Sequence, residues 1–274
     1  MIVQAPSPSG IPGFLKGWGS LIIATVALIQ PWVFAIWKKF FRSGAVDIYP
    51  SHRIEIGYSA LGPTIGLTGT LRAVHRDQFV ESMQVVLTKL KDQSRHTFDW
   101  VLFRAGKIYV TVQQREEMTA ELVSGFMITT IQPHPYNILF QDAGTQSDMN
   151  SHMLAVHGEW QKALSAPGSP ERLANLDALY SEFMIEAGIV TTSYTALDRL
   201  MYWEPGRYSL EVMVHTTRPE LSFSEEWAFD LTPDDIKMLG VNPLVILRLA
   251  CGRGGTLGFA YPAYQEPPPP QESD

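Results

Sequence analysis

The segment FVESMQVVLTKLKDQSRHTFDWVLFR, residues 79–104, decides the fold of this chain. Apolar residues stand at every second position on both sides of a polar break at residues 91–94, KDQS. They are Met83, Val85 and Leu87 before the break and Phe98, Trp100 and Leu102 after it. A period of two is typical of a strand with one buried face, and a short polar break is typical of a turn. The segment therefore predicts an antiparallel hairpin.

Short apolar and threonine-rich segments continue this pattern on both sides of the hairpin, across residues 43–140. They lie at residues 48–56, 63–74, 107–112, 126–131 and 136–140. Residues 113–125 fit either a helix or an edge strand. Several short strands separated by turn signals are typical of a β-sandwich.

The spacing of apolar residues changes to that of helices across residues 147–188. A cap at Ser147 or Asp148 begins a first helix, which the segment APGSP ends. A second helix is predicted from its cap at Ser169 to Gly188. Its apolar stripe consists of Leu173, Leu176, Tyr180, Phe183 and Met184. The two helices predict a helical hairpin that packs on the sandwich.

Strands resume after Thr192, and residues 203–214, WEPGRYSLEVMV, carry the most specific local pattern. An acidic residue is followed by Gly206 and then, two positions later, by Tyr208 at the start of an alternating strand. This pattern resembles the tyrosine corner of immunoglobulin-like sandwiches. Leu210 stands where antibody domains carry their second cysteine, so the resemblance implies an immunoglobulin-like sandwich without that disulfide.

The C-terminal part combines strand and helix signals. Residues 221–231 predict a strand, and Thr232 caps a short helix that ends at Gly240. Residues 243–249 are apolar and predict a last strand. Residues 266–274, EPPPPQESD, predict a solvated polyproline tail.

The predicted fold class is mainly β with α: a single N-terminal transmembrane helix, then an immunoglobulin-like β-sandwich that carries a helical hairpin insertion. Two separate domains are the alternative, but residues 203–231 alone hold too few strands to close a core. The predicted parts are a tail at residues 1–16, a transmembrane helix at 17–37, a basic juxtamembrane segment at 38–44, the sandwich at 45–250 with its insertion at about 147–188, and a Gly/Pro-rich tail at 251–274.

The proposed membrane segment at residues 17–37, GWGSLIIATVALIQPWVFAIW, contains no formal charge. A helix over most of this length rises about 28 Å, close to the hydrocarbon thickness of a bilayer. Trp18, Trp32 and Trp37 lie towards its ends, where indole rings suit the headgroup boundary. The segment predicts a spanning helix, and the alternatives are a helix lying in the interface or a buried core helix.

Basic residues flank this segment unequally. Lys16 precedes it, whereas Lys38, Lys39 and Arg42 follow it. The positive-inside rule therefore places the main domain in the cytoplasm and the short N-terminal tail outside. The three following cations also predict contact with anionic headgroups. The first fifteen residues carry no charged side chain, which argues against a cleaved signal peptide.

The composition argues against some classes of partner and of chemistry. The net charge of −7 argues against nucleic acid as a partner, because phosphate contacts need clustered cations. Cys251 is the single cysteine, so the chain forms no internal disulfide and offers no cysteine-based zinc site. A lone cysteine also fits a reducing compartment.

No catalytic motif is complete in the sequence. Residues 57–62, GYSALG, miss the serine-hydrolase pattern by one residue, and residues 252–255 lack the spacing of a phosphate-binding loop. His152 and His157 lie about 140° apart around a helix, and pairing Asp148 with His152 gives only two metal ligands. The remaining acid–base candidates, chosen by residue type alone, are Asp99, Asp142, His75, His96 and His215. We therefore predict no catalytic, cofactor-binding or metal-binding residues and no cofactor.

These observations predict a membrane-anchored, non-enzymatic interaction or sensor protein with a cytoplasmic domain. Its predicted partners are the lipid bilayer and an unknown protein, bound through a sandwich edge, the loops or the helical insertion. One alternative is a membrane-bound hydrolase with a non-motif Asp/His or metal site. The other is an extracytoplasmic ligand-binding domain, which requires the reversed topology.

Overall fold

The computed structural model describes residues 44–51, 53–106, 118–166, 175–217 and 223–265. The predicted membrane segment at residues 17–37 lies outside these ranges. The predicted membrane-interface residues also lie outside them: Trp18, Trp32, Trp37, Lys38, Lys39 and Arg42. Within the described ranges, every helix is too short or too polar to cross a membrane.

The described chain is mainly β sheet with helices, as predicted. The strands are β1 Ala45–Pro50, β2 Glu55–Ser59, β3 Gly62–Val74, β4 Gln78–Lys89, β5 Arg95–Gly106, β6 Met118–Leu122, β7 Phe126–Ile128, β8 His134–Gln141, β9 Gly206–Thr216, β10 Phe223–Leu231 and β11 Phe259–Ala260. The helices are α1 Ala143–Ser165, α2 Leu176–Glu186, α3 Gly188–Leu200, α4 Pro233–Leu239 and α5 Asn242–Ala250. Along the chain, helices α1, α2 and α3 come between β8 and β9.

All eleven described strands belong to one antiparallel sheet, in the order β10-β9-β4-β5-β8-β3-β2-β11. Strand β1 pairs with β3, β6 with β5 and β7 with β4. An immunoglobulin fold divides its strands between two sheets, whereas hydrogen bonds connect all the described strands here. The predicted hairpin, β4 and β5, lies at the centre of this order.

The sheet curls until its two ends meet. After β11 the chain forms a single bridge between Gln265 and Ala228 of β10, with two N–O distances of 2.8 and 3.3 Å. Ala263 forms a similar bridge to Arg53, just before β2. The C-terminal segment therefore joins the two ends of the strand order, and the inward side chains form one continuous core.

The inward face of the central strands agrees with the predicted period. Met83, Val85 and Leu87 of β4 are all at most 1% exposed. Helices α1 and α3 pack against the core, where the Tyr58 hydroxyl of β2 donates to the backbone oxygen of Leu197 at 2.6 Å. Burying aliphatic and aromatic side chains in this way supplies most of the stabilisation of a fold of this size.

The tyrosine corner predicted at Tyr208 is present as a local structure. The Tyr208 hydroxyl donates to the backbone oxygen of Glu204 at 2.8 Å and accepts from the Glu204 N–H at 3.1 Å. Its ring stacks on Phe229 of β10, with ring centroids 5.4 Å apart. Gly206 begins β9 with φ of 147°, a backbone conformation that residues with a side chain rarely adopt.

Two segments predicted as strands are helical. Residues 243–249 form most of α5, because Pro243 suits a first helical turn and a short apolar run fits a buried helix as well as a strand. Residues just after Thr192 belong to α3. Its β-branched residues favour a strand, but Val190, Ser193 and Leu197 have helical spacing and are buried in the core.

The strands have two ends, which we name by the elements that lie there. One end, the β1 end, contains the start of β1 at Ala45, the β3–β4 turn at residues 75–77 and the β7–β8 loop at residues 129–133. The other, the helix end, contains the β4–β5 turn at residues 90–94 and the junction of β8 with α1 at Asp142. The chain enters and leaves its helices at the helix end.

Candidate functional site

Three polar side chains from distant segments meet at the helix end. The Tyr202 hydroxyl, just after α3, donates to Asp142 Oδ2 at 2.9 Å. The ring of His96 on β5 stacks on the Tyr202 ring, with centroids 3.8 Å apart and planes 12° from parallel. His96 Nδ1 lies 3.8 Å from the same Asp142 oxygen. We call these three residues the His96 cluster.

Asp142 connects the His96 cluster to helix α1, because it also caps that helix. Its Oδ1 accepts from the Gly144 N–H at 2.9 Å, which satisfies a donor left free at the start of the helix. Burial, and then the neighbouring Asp142 carboxylate, raise the pKa of Tyr202 well above its usual range. The Tyr202 hydroxyl therefore stays protonated and remains the donor in this pair.

The His96 cluster has the residue types of an acid–base site but not its geometry. A general base is oriented by a direct hydrogen bond to its partner, at about 2.6–3.2 Å. The His96–Asp142 separation of 3.8 Å exceeds this range. Both Asp142 oxygens are already engaged, by Gly144 and Tyr202. The arrangement suits a structural role better than acid–base catalysis: Asp142 caps α1, and the His96 and Tyr202 rings stack beside it.

The structure brings together two of the predicted acid–base candidates, His96 and Asp142, and separates the others. His75 lies in the β3–β4 turn at the β1 end, with φ of 71°. Asp99 is exposed, as its alternation predicted, and accepts from Gln84 Nε2 at 2.8 Å. His215 lies near the β1 end of β9, opposite Ser82.

The histidines of α1 take part in helix packing. His157 Nδ1 lies 2.8 Å from the backbone oxygen of Ala250, and because a carbonyl only accepts, this nitrogen carries the proton. His152 Nδ1 lies 3.4 Å from the hydroxyl of Ser193, which is fully buried. Asp148 is exposed. Among the described residues, no three His, Cys, Asp or Glu side chains are placed to hold a metal ion.

The two incomplete motifs have structural roles. Residues 57–62 form the β2–β3 hairpin, where the Ser59 hydroxyl accepts from the Leu61 N–H at 3.1 Å. This Ser lies between two strands, whereas a nucleophile elbow joins a strand to a helix. In the 252–255 loop, Arg253 forms an ion pair with Asp177 at 2.8 Å and fixes the loop to α2.

An open cavity of about 440 Å³ lies between α1 and the end of α5. We call it the α1–α5 groove, and its lining residues are Asn150, Met153, Leu154, His157, Leu249 and Ala250. The four residues from α1 follow the spacing of a single helix face. Leu154 is 69% exposed and Leu249 is 40% exposed, so the groove presents apolar side chains to its surroundings.

Sequence reasoning reached His96 and Asp142 by residue type but missed Tyr202 and the groove. Tyr202 follows Asp142 by 60 positions, and no local pattern connects them. The groove depends on α5, which was predicted as a strand. A helical interpretation of residues 243–249 would have placed Leu249 on an exposed face.

Comparison of the sequence with models of known protein families finds no match, and comparison with curated proteins finds none either.

Replacing Asp142 with alanine should lower the free energy of unfolding by about 1–2 kcal/mol, because α1 loses its cap and Tyr202 loses its acceptor. Asp142→Asn is the matched control, since its single amide oxygen can still cap the helix while its NH2 group replaces the oxygen that accepts from Tyr202. Urea unfolding of the full chain in detergent, followed by circular dichroism, measures both variants. The Asn variant should lose less than the Ala variant; an equal loss in both would show that the second carboxylate oxygen, with its charge and its bond to Tyr202, stabilises this junction and that the helix cap does not.

Proposed function

We propose that this chain is a membrane-anchored, non-enzymatic interaction or sensor protein whose main domain lies in the cytoplasm. The observation that carries the proposal is the α1–α5 groove, an open apolar surface on the helices. The structural roles of the His96 cluster and of the α1 histidines also favour binding over catalysis.

The membrane part of the proposal rests on the sequence. Residues 17–37 are uncharged and long enough to span a bilayer. Lys38, Lys39 and Arg42 follow this segment, and only Lys16 precedes it. This asymmetry favours a cytoplasmic main domain with an external N-terminus.

The groove suits the apolar face of a helix from a protein partner. Met153 and Leu154 of α1 line the cavity together with Leu249 of α5, and Asn150 and His157 add polar groups to its lining. Helix-in-groove recognition uses apolar anchors spaced by three or four residues, and a groove walled by two helices complements them. The partner therefore binds the helices, which include the predicted insertion.

We also propose a sandwich-like core for the domain, with both layers supplied by one curled sheet. The tyrosine corner at Tyr208 supports the immunoglobulin-like part of this proposal. The approach of β1 to β10, and the bridge between Ala228 and Gln265, support the closure of the layers. Such a core would present the groove on a rigid base.

The test compares partner capture by Leu154→Arg and by a matched variant, Ile185→Arg. Ile185 is 79% exposed on α2 and does not line the groove. Proximity labelling with the full chain in its own cell should identify a protein that wild type and Ile185→Arg label equally. Leu154→Arg should reduce that labelling by about tenfold or more, as expected for a central interface anchor. Equal labelling by all three would rule out the groove as the binding surface.

The His96 cluster keeps a hydrolase as the second candidate. His96 and Asp142 are two predicted acid–base residues whose side chains lie within 4 Å of each other. An ester- or phosphate-cleaving activity of the purified chain that His96→Gln abolishes would favour this alternative. For the reversed topology, the discriminating result is degradation of the main domain by protease added to intact cells.

A further inference from the structure

We propose that the β1 end of the sheet contacts the surface of a lipid bilayer, with Ile131 and Met127 as the residues that touch lipid. This inference rests on the proposed membrane anchor, and it names the surface of the domain that faces the membrane.

The length of the connection limits where the domain can lie. Seven residue steps separate Trp37, the last residue of the proposed membrane segment, from Gly44. A fully extended chain of that length spans at most about 25 Å. Gly44 immediately precedes β1, and Ala45 pairs with Val74 at the end of β3. The part of the domain held closest to the bilayer is therefore the β1 end.

The β7–β8 loop lies at this same end. Gly44 passes so close to the side chain of Gln78 that an added Cβ would overlap it. Gln78 in turn pairs with Ile128 of β7. The three residues thus form one continuous row from the start of the domain to the β7–β8 loop.

Ile131 is the most exposed large apolar residue of the described chain, at 94%, and it is held in a defined loop. Asp77 of the β3–β4 turn accepts from the Thr130 N–H at 2.8 Å and from its hydroxyl at 3.1 Å. Met127, opposite Phe79, is 54% exposed. A single exposed aliphatic side chain is common. Here two of them lie at the end of the sheet where the described domain begins, at Gly44.

The β4–β5 turn lies at the opposite end of the same strands, far from the start of the domain. Strand β4 has 12 residues, so the β4–β5 turn lies about 40 Å from the β3–β4 turn. The exposed residues at that turn include Lys91 and Asp92, which suit water rather than lipid. The chain enters and leaves its helices at this end. The proposed orientation therefore directs the helix end towards the cytoplasm.

Site-specific fluorescence in reconstituted vesicles tests the proposal. The full chain carries an environment-sensitive label at Ile131→Cys or, as the matched control, at Lys91→Cys. Cys251 is buried, and burial raises the pKa of its thiol to about 11, so unmutated chain is the labelling blank. The vesicles contain phosphatidylcholine, phosphatidylglycerol and a phosphatidylcholine with a nitroxide near the top of its acyl chain. Met127→Cys is a second test position.

The expected result is quenching by the nitroxide lipid that is several-fold stronger at positions 131 and 127 than at position 91. Equal quenching at all positions, or shielding from a water-soluble quencher without lipid quenching, would overturn the inference. Extraction of the vesicles with alkaline carbonate separates the two proposals. If the chain stays in the vesicles but position 131 is not quenched, only the lipid contact is wrong. If the chain is extracted, the anchor is wrong and the lipid contact with it.

Discussion

Replacing Trp203 with alanine is expected to lower the free energy of unfolding by about 3–5 kcal/mol. Trp203 is 2% exposed and lies between the end of α3 and the sheet. Its indole N–H donates to the backbone oxygen of Gly57 at 3.0 Å, and its ring stacks on Phe98 of β5. Truncation to alanine leaves a large cavity at this junction and removes the hydrogen bond. Since domains are stable by about 5–15 kcal/mol, this loss is a large part of the total.

Two control variants separate packing from hydrogen bonding. Trp203→Phe keeps an aromatic ring against Phe98 but loses the bond to Gly57, and it should cost about 1–2 kcal/mol beyond its smaller volume. Leu154→Ala removes an exposed side chain and should change the free energy by less than about 0.5 kcal/mol. Urea unfolding of the full chain in detergent is followed by circular dichroism, because removing a tryptophan changes the intrinsic fluorescence of the chain. A loss for Trp203→Ala no larger than that for Leu154→Ala would show that the junction repacks.

The strands that the sequence predicted best are those with a local period of two. The β4–β5 hairpin was predicted because alternation needs no information from the rest of the chain. Leu102 is the exception, since the register between β5 and β8 shifts between Trp100 and Leu102. A bulge adds one residue on one strand and moves the following side chains to the other face. The prediction that put Leu102 on the same face as Phe98 and Trp100 is therefore wrong.

Features that depend on long-range closure could not be predicted. The bridge between Ala228 and Gln265 turns an open strand order into a closed one, and neither residue carries a local signal for it. The His96 cluster likewise requires that β5, β8 and the end of α3 meet. Asp142 alone had a local role that sequence can predict, as a helix cap. The capping box at Thr232 and Asp235 is present with the predicted short helix, whereas the predicted cap at Ser147 or Asp148 is wrong, because α1 begins earlier, at its Asp142 cap.

Asn242 joins three parts of the domain through three side-chain hydrogen bonds. It is fully buried in the first turn of α5. Its amide nitrogen donates to the backbone oxygens of Tyr58 and Gly258, at 2.9 and 2.8 Å. Its amide oxygen accepts from the Gly258 N–H at 2.7 Å. One side chain thus joins α5 to β2 and to the residue before β11.

Replacing Asn242 with leucine should lower the free energy of unfolding by about 3–5 kcal/mol. The buried backbone oxygen of Tyr58 and the partly buried N–H and oxygen of Gly258 would each lose a hydrogen-bond partner and stay polar. Asn242→Asp has nearly the same volume and keeps one acceptor oxygen, but turns a second oxygen towards two carbonyls. Its carboxyl should have a raised pKa in the folded state, since burial and the carbonyls disfavour the charge.

The pH dependence of the stability of Asn242→Asp follows from the direction of this pKa shift. A carboxyl whose folded pKa lies above its unfolded pKa of about 3.9 stabilises the fold when protonated, below that value, and loses the contribution as pH rises through the folded pKa. The protonated carboxyl can donate to one carbonyl, so the variant should approach wild-type stability in acid and resemble Asn242→Leu at neutral pH. Urea midpoints of wild type and both variants, measured across this pH range, test the argument. A loss in Asn242→Asp that is independent of pH would show that shape, not hydrogen bonding, makes Asn242 important at this junction.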